Sequence, residues 1–196
     1  MALTKQAKVL TKQQIKAILS YLESSRAPIR NKVIFLLSVK AGFRAKEIAS
    51  LNWSMITDCE GNLADSIQLD NSASKGSSGG RVIPINIDLK EALAKLLVAT
   101  AKVSTDQSVI LSERGIRMSA AVLTNWFDRL YKNLGFEGCS SHSGRRTFIT
   151  NAAKVVSSVG GSLRDVQTLA GHSSLNMTQK YIENDTDAQQ KLVQLI

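Results

Sequence analysis

Cysteine is scarce in this sequence of 196 residues: only Cys59 and Cys139 occur, far apart and without CxxC spacing. Such usage favours reduced structural thiols in a cytosolic protein over a secreted domain held by disulfides. Apolar runs of about 18 residues, the length that a membrane-spanning helix needs, are also absent. The N-terminus contains no apolar stretch suited to a signal peptide. We therefore expect a cytoplasmic protein.

Acidic residues are outnumbered, with 16 against 25 lysines and arginines, which gives a net charge of +9 and a pI of about 9.7. This excess indicates a polyanionic partner, either nucleic acid or an anionic membrane surface. Carboxylates do not cluster beside the histidines, and no Cys/His pair has metal-ligand spacing, so we expect no metal and no cofactor. The hydrophobic fraction of 43% is enough for a packed core and favours a packed domain over a disordered tail.

The hydrophobic pattern predicts an α+β fold that is mainly α with a small antiparallel β-sheet. Residues 66–70 and 81–87 alternate with period two, which indicates two short strands. The polar, glycine-rich residues 71–80 are expected to join them as a hairpin loop. Pro84 cannot donate to a ladder, so its strand should lie at an edge or be irregular at that residue. Apolar residues at helical spacing predict helices at 11–25, from Pro28, from about Arg44, and at 88–101, 119–133, 143–156, 162–170 and 174–182.

Both histidines lie in the last third of the chain, each close to glycine and to basic or hydroxyl residues. His142 and Arg145 are three residues apart, so a helix would place them on one face. Gly171 before His172 indicates a histidine at a turn between helices. Tyr181 lies nine residues beyond His172, far enough for a helix to return it to the same site. Taken singly, each of these residues has an ordinary structural alternative, and their grouping is what suggests chemistry.

In four separate parts, the sequence resembles the tyrosine recombinases, also called the phage integrase family. Residues 41–48 resemble the family's first arginine box, and a lysine lies in the hairpin loop before 81–85. Residues 142–145 match its His-x-x-Arg box, and 169–172 match the segment of its final histidine. Order and approximate spacing agree over about residues 40 to 185. The resemblance implies the fold of the family's catalytic domain and six catalytic residues: Arg44, Lys75, His142, Arg145, His172 and Tyr181.

The sequence departs from the family pattern in two ways. Gly144 and Arg146 replace a common leucine and histidine around the second arginine, but neither position is catalytic in the family. Family members usually carry an N-terminal core-binding domain as well, and this chain begins almost at the catalytic domain. A minimal recombinase is favoured over a fragment. We expect a catalytic domain at 1–185 and a C-terminal tail at 186–196.

The resemblance implies an enzyme that cleaves and rejoins DNA through a covalent 3′-phosphotyrosine, without metal or ATP. Tyr181 would be the nucleophile, and since a tyrosine has a pKa near 10, only about one in a thousand is ionised at pH 7. His142 would be its general acid/base, and Lys75 would protonate the leaving 5′ oxygen, which departs as a hydroxyl. The rigid forks of two arginines match phosphate oxygens, and a histidine would add one more donor. These three groups would be Arg44, Arg145 and His172.

The expected partner is double-stranded DNA, bound by a homotetramer on two duplexes. Without DNA, the protein is expected to be a monomer or a dimer. No membrane partner is expected. The apolar tail at 186–196 could dock on a neighbouring subunit or on its own domain, and Tyr181 could act in its own subunit or in a neighbour's. The protein would be encoded by a bacterium, a phage or a mobile element. Two alternatives stay open, namely DNA relaxation like that of type IB topoisomerases and a non-catalytic DNA-binding decoy.

Overall fold

The computed structural model describes residues 6–70, 80–100, 104–181 and 193–194. Within these residues the chain forms α-helices, one pair of β-strands and 3-10 helices at Trp53–Met55 and Val156–Val159. The prediction of a mainly α fold with a small antiparallel sheet is confirmed. In chain order the elements are α1 (Lys12–Glu23), α2 (Pro28–Lys40), α3 (Ala45–Ser50), β1 (Ser66–Leu69), β2 (Arg81–Pro84), α4 (Ile87–Ala99), α5 (Ala120–Asn133), α6 (Ser143–Val155), α7 (Leu163–Ala170) and α8 (Leu175–Gln179).

Local signals start and stop several of these helices as the sequence predicts. Thr11 caps α1, where its hydroxyl accepts from the Gln14 amide at 3.2 Å and the Gln14 side chain accepts from the Thr11 amide at 3.0 Å. Pro28 is the first residue of α2, where its missing N–H costs nothing. Gly171 ends α7 in the left-handed region, with φ at 61°. The last of these ends matters most, because it places His172 at a turn.

The two strands pair antiparallel, with Ser66 opposite Pro84. Each is an edge strand of this two-stranded sheet, as expected for a strand that contains proline. The predicted second strand, 81–87, is too long: β2 ends at Pro84, and Ile87 already begins α4. Asn86 explains the difference, because its side chain accepts from the Asp88 amide and caps that helix. Residues 71–79 of the predicted hairpin loop lie outside the described residues.

The core is built around α2, which packs against α4 on one side and α6 on another. Every residue from Val33 to Val39 is buried, as is typical of a helix in such a central position. The segment after it, 41–44, lies beside α6, where the Gly42 carbonyl accepts from Arg145. The fully buried apolar residues of α2 are Val33, Ile34, Phe35, Leu36 and Leu37.

A second, smaller cluster joins α6 to α7 through Ile149, Val166 and Ala170, with Tyr181 packed against it. The helix predicted at 174–182 is shorter than expected and ends at Gln179. There the backbone closes into a turn in which the Tyr181 amide donates to the Thr178 carbonyl at 3.0 Å. Of the predicted tail, only residues 193–194 are described, so its docking stays a prediction. No helix in the described ranges has both the length and the apolar character needed to cross a membrane.

Candidate active site

Arg44 stands at the N-terminal cap of α3, just after the tight turn at Gly42. One guanidinium nitrogen, Nη1, lies 2.8 Å from Oε1 of Glu47, one turn further on. The other carboxylate oxygen, Oε2, accepts from the Arg44 amide at 2.7 Å. The Glu47 side chain is 1% exposed and that of Arg44 is 25% exposed. Arg44 is therefore anchored by Glu47, while part of its guanidinium group faces solvent.

Arg145 lies in the first turn of α6 and is buried. Its Nη1 donates to the Gly42 carbonyl and its Nη2 to the Ala170 carbonyl, each at 2.6 Å. Burial, and next the charge of Arg44, lowers the pKa of Arg145 to about 10, which still leaves it protonated at neutral pH. The side chain thus joins the segment after α2 to the end of α7 and keeps a positive charge between them.

His172 is buried just after the Gly171 turn, and its Nδ1 lies 3.0 Å from the Thr178 hydroxyl. Its ring stacks on that of Tyr181, with centroids 5.4 Å apart and planes at 25°. Burial, followed by the charges of nearby arginines, lowers the pKa of His172 to about 4, so the ring is neutral at pH 7. In the tautomer whose Nδ1 accepts from the Thr178 hydroxyl, the ring carries its proton on Nε2. It can then donate a hydrogen bond to an anion.

His142 precedes α6 directly and is exposed. Desolvation, and then the charges of Arg145 and Arg44, lowers its pKa below the ordinary value for histidine. A neutral imidazole is the form that can accept a proton from a nearby hydroxyl. His142 shares a cavity of about 310 Å³ with Tyr181, and the residues that line the rest of it are Gln6, Ala7, Ser140, Arg146 and Lys180.

Five of the six residues singled out from the sequence converge on one region. The two arginines contribute to the lowered pKa of both histidines, and Tyr181 stacks on one histidine and shares a cavity with the other. Lys75 lies outside the described residues. Within the ranges that are described, His, Cys, Asp and Glu side chains form no group able to hold a metal ion.

Sequence reasoning missed Arg81 and gave Glu47 no role. Arg81 Nη2 lies 3.0 Å from Glu47 Oε2, and Nη1 donates to the Ala170 carbonyl at 2.5 Å. One signal was available, since Arg81 lies two residues before the buried Ile83 and so shares the inward face of β2. A charged residue on an inward strand face needs a buried partner.

Lowering the pH from about 7 to about 5 is expected to reduce the free energy of unfolding, in part through His172. An unfolded histidine takes up a proton near pH 6.5, whereas the folded His172 has a pKa of about 4. The unfolded state binds more protons between these values, so stability falls as the pH falls through that window. Thermal unfolding at the two pH values measures the loss. The fall in stability with pH should be shallower in His172→Asn. An equally steep fall in that variant would contradict the lowered pKa of His172.

A family model described as the phage integrase family matches residues 8–188. Tyrosine recombinase XerC of Thermodesulfovibrio yellowstonii is 30% identical over 164 residues, which cover 80% of this chain and 50% of that protein. Tyrosine recombinase XerA of Thermococcus onnurineus is 29% identical over 193 residues, covering 94% of this chain and 62% of that protein. The chain therefore spans between half and two thirds of the length of these relatives.

Solved structures share the fold at low sequence identity. A crystal structure of XerA recombinase superposes with a TM-score of 0.74 at 22% identity, over 97% of this chain and 65% of that one. The Tn1549 transposon integrase, solved in complex with a circular intermediate DNA, gives a TM-score of 0.72 at 21% identity, over 96% and 65%. The predicted catalytic-domain fold is confirmed.

Proposed function

Because the chain belongs to the phage integrase family, we propose that it is a site-specific DNA recombinase that works through a covalent 3′-phosphotyrosine. Its named relatives are tyrosine recombinases, enzymes that break and rejoin DNA. One observation carries the proposal for this chain: two arginines and two histidines converge around Tyr181. A phenol beside several cationic and donor groups is what attack on a phosphodiester requires.

Attack on the phosphate builds negative charge on its oxygens in a five-coordinate transition state. The forks of Arg44 and Arg145 and the Nε2 proton of His172 are the donors that would meet this charge. Arg44 keeps part of its fork open, and Arg145 is held by two carbonyls before any DNA arrives. Donors fixed in advance stabilise a transition state more than donors that must first be ordered. On this proposal, the chemistry needs no metal.

Proton transfer would be divided between two residues. The Tyr181 hydroxyl would give its proton to His142 as its oxygen bonds to phosphorus. The bond from phosphorus to the 5′ oxygen breaks, and Lys75 would protonate that oxygen. The phosphotyrosine conserves the energy of the broken bond, so a 5′ hydroxyl can reverse the reaction without ATP. If the hydroxyl comes from another strand, the strands are exchanged.

The proposed partner is double-stranded DNA. The Tn1549 integrase and lambda integrase structures contain bound DNA, and this chain has a net charge of +9. Arg146 and Lys180 line the cavity beside Tyr181, where they could contact phosphates. Exchange of all strands requires four active sites, so we propose a homotetramer on two duplexes that assembles in the cytoplasm. Residues 1–185 would form the catalytic unit, and 186–196 would dock on a neighbouring subunit.

A nicked duplex tests this function. The duplex should carry a site recovered from a random-sequence pool by selection for binding, with the nick placed so that cleavage releases a short strand. That strand diffuses away, and the covalent intermediate accumulates. We expect an adduct on a denaturing gel whose protein part is 21.3 kDa. Binding of this DNA without any adduct would contradict the proposed enzymatic function and favour a non-catalytic DNA-binding decoy.

Two further experiments separate the remaining alternatives. Relaxation of a supercoiled plasmid without the selected site, as fast as cleavage at the site, would favour a topoisomerase-like activity. Deletion of 186–196 should reduce the pairing of two duplexes while leaving adduct formation on a single duplex. Unchanged recombination after this deletion would instead indicate that the tail packs on its own domain.

A further inference from the structure

Arg81 makes an unusual set of contacts for a residue that begins a short edge strand. It is the first residue of β2, at the end of the segment 71–80 that contains Lys75, and its side chain is only 7% exposed. It reaches Glu47 in α3 and the Ala170 carbonyl at the end of α7. Its guanidinium carbon also lies 5.6 Å from the centre of the Phe43 ring. One side chain thus joins three separate parts of the candidate site.

The contact with Glu47 bears on the charge of Arg44. Glu47 is buried and serves two arginines: Oε1 pairs with Arg44, and Oε2 pairs with Arg81. Without Arg81, Arg44 alone would face the full negative charge of the Glu47 carboxylate. The Arg44 side chain would then be drawn toward Glu47 and would offer less positive potential to a phosphate. The shared arrangement leaves three guanidiniums facing one carboxylate, so the cluster keeps a positive excess.

The contact with Ala170 bears on the position of His172. The same carbonyl accepts from Arg81 Nη1 at 2.5 Å and from Arg145 Nη2 at 2.6 Å. Gly171 follows directly with a φ of 61°, and a Cβ at that position would overlap the Arg81 guanidinium. The glycine thus allows both the left-handed turn and the close approach of Arg81. Two arginines fix the carbonyl from which the turn to His172 begins.

We propose that Arg81 is a positioning residue: it holds Arg44 through Glu47 and the His172 turn through the Ala170 carbonyl, and it ties both to the strand that follows Lys75. It does so without touching DNA. Displacement of the two donors by about 1 Å would weaken transition-state binding more than DNA binding. This proposal rests on the proposed recombinase function.

The test is the single-turnover rate of adduct formation on the nicked duplex at saturating protein. Arg81→Met should lower that rate about 10²-fold, the cost of a small misplacement of reacting groups, while the Kd for DNA stays within about threefold. Arg81→Lys keeps the charge but not the fork, so its rate should lie between those of Arg81→Met and wild type. A merely structural role would lower the Tm and leave the rate of the folded enzyme unchanged.

Arg30 offers a matched control. It is half-buried, donates to the Leu111 carbonyl and to the Asn31 side chain, and lines a different cavity. Arg30→Met should lower the Tm but leave the cleavage rate within about twofold of wild type. An equal loss of rate in Arg30→Met and Arg81→Met would overturn the positioning role.

A double-mutant cycle with Glu47→Gln identifies the route. If Arg81 acts through Glu47, the double mutant should lose clearly less of the cleavage rate than the product of the two separate fold-losses. If the two fold-losses in rate simply multiply, Arg81 does not act through Glu47. The experiments distinguish failure of the recombinase proposal from failure of the Arg81 proposal. A wild-type chain that binds DNA without forming an adduct overturns both. A wild-type adduct that Arg81→Met forms at the same rate overturns only the positioning role.

Discussion

Tyr181→Phe is expected to abolish the covalent protein–DNA adduct, with a loss of at least about 10⁴-fold in cleavage rate. The substitution removes the only oxygen of the side chain and keeps its ring. The ring still stacks on His172, and the Thr150 hydroxyl still donates to the Tyr181 carbonyl, so the local structure should persist. DNA binding should be unchanged, since the loss concerns the reacting atom alone. The nicked duplex and a denaturing gel measure the adduct, and a native gel measures binding.

Tyr131→Phe is the matched control for this experiment. Tyr131 is buried in α5, and its hydroxyl has no hydrogen-bond partner in the part of the chain that the structure describes. The same chemical change there should leave the adduct intact and stability nearly unchanged. An adduct formed by Tyr181→Phe at the wild-type rate would mean that another residue is the nucleophile.

Mixing experiments address where Tyr181 acts. Tyr181→Phe lacks the proposed nucleophile, whereas a variant at Arg145 lacks part of the proposed phosphate site. If the tyrosine is delivered to a neighbour's site, a mixture of the two inactive variants should regain adduct formation in some assemblies. If each tyrosine serves its own subunit, the mixture should stay inactive.

Local chemistry explains why much of the fold could be predicted from the sequence. Thr11, Pro28 and Gly171 act within one turn of their own positions, so their effects on helix ends are visible in the sequence. The error at 81–87 has the same local origin, because the cap at Asn86 outweighs an alternating pattern that continues to Ile87. Period-two alternation over a few residues cannot by itself show where a strand stops.

The buried part of the candidate site could not be predicted in this way. The pairing of Arg81 with Glu47 joins residues 34 positions apart, and its contact with Ala170 joins residues 89 positions apart. Such partners are set by how the sheet, α3 and α7 pack, and no spacing in the sequence encodes them. The resemblance to a family supplied the residues expected to contact the phosphate. It did not supply the side chain that holds them in place.

Arg145→Lys is expected to lower the cleavage rate by about 10² to 10³-fold, the usual cost of one preorganised donor. The charge is kept, so attraction of DNA should change little. What is lost is geometry, because the guanidinium binds the Gly42 and Ala170 carbonyls with two nitrogens and still has N–H groups for a phosphate. A lysine offers one nitrogen on a flexible stem and cannot meet both carbonyls and a phosphate oxygen at once.

Stability must be measured beside activity, since the two buried hydrogen bonds of Arg145 also hold the fold together. Each bond from a charged donor contributes about 1.5 to 3 kcal/mol, so the Tm of Arg145→Lys should fall, and cleavage should be assayed well below it. Arg30→Lys is the control, because it makes the same change at an arginine that donates to a carbonyl elsewhere. Guanidinium ion added to Arg145→Ala should restore part of the rate if the missing group acts on the phosphate. Wild-type cleavage by Arg145→Lys would show that charge alone suffices at this position and that the two-carbonyl anchor has no part in catalysis.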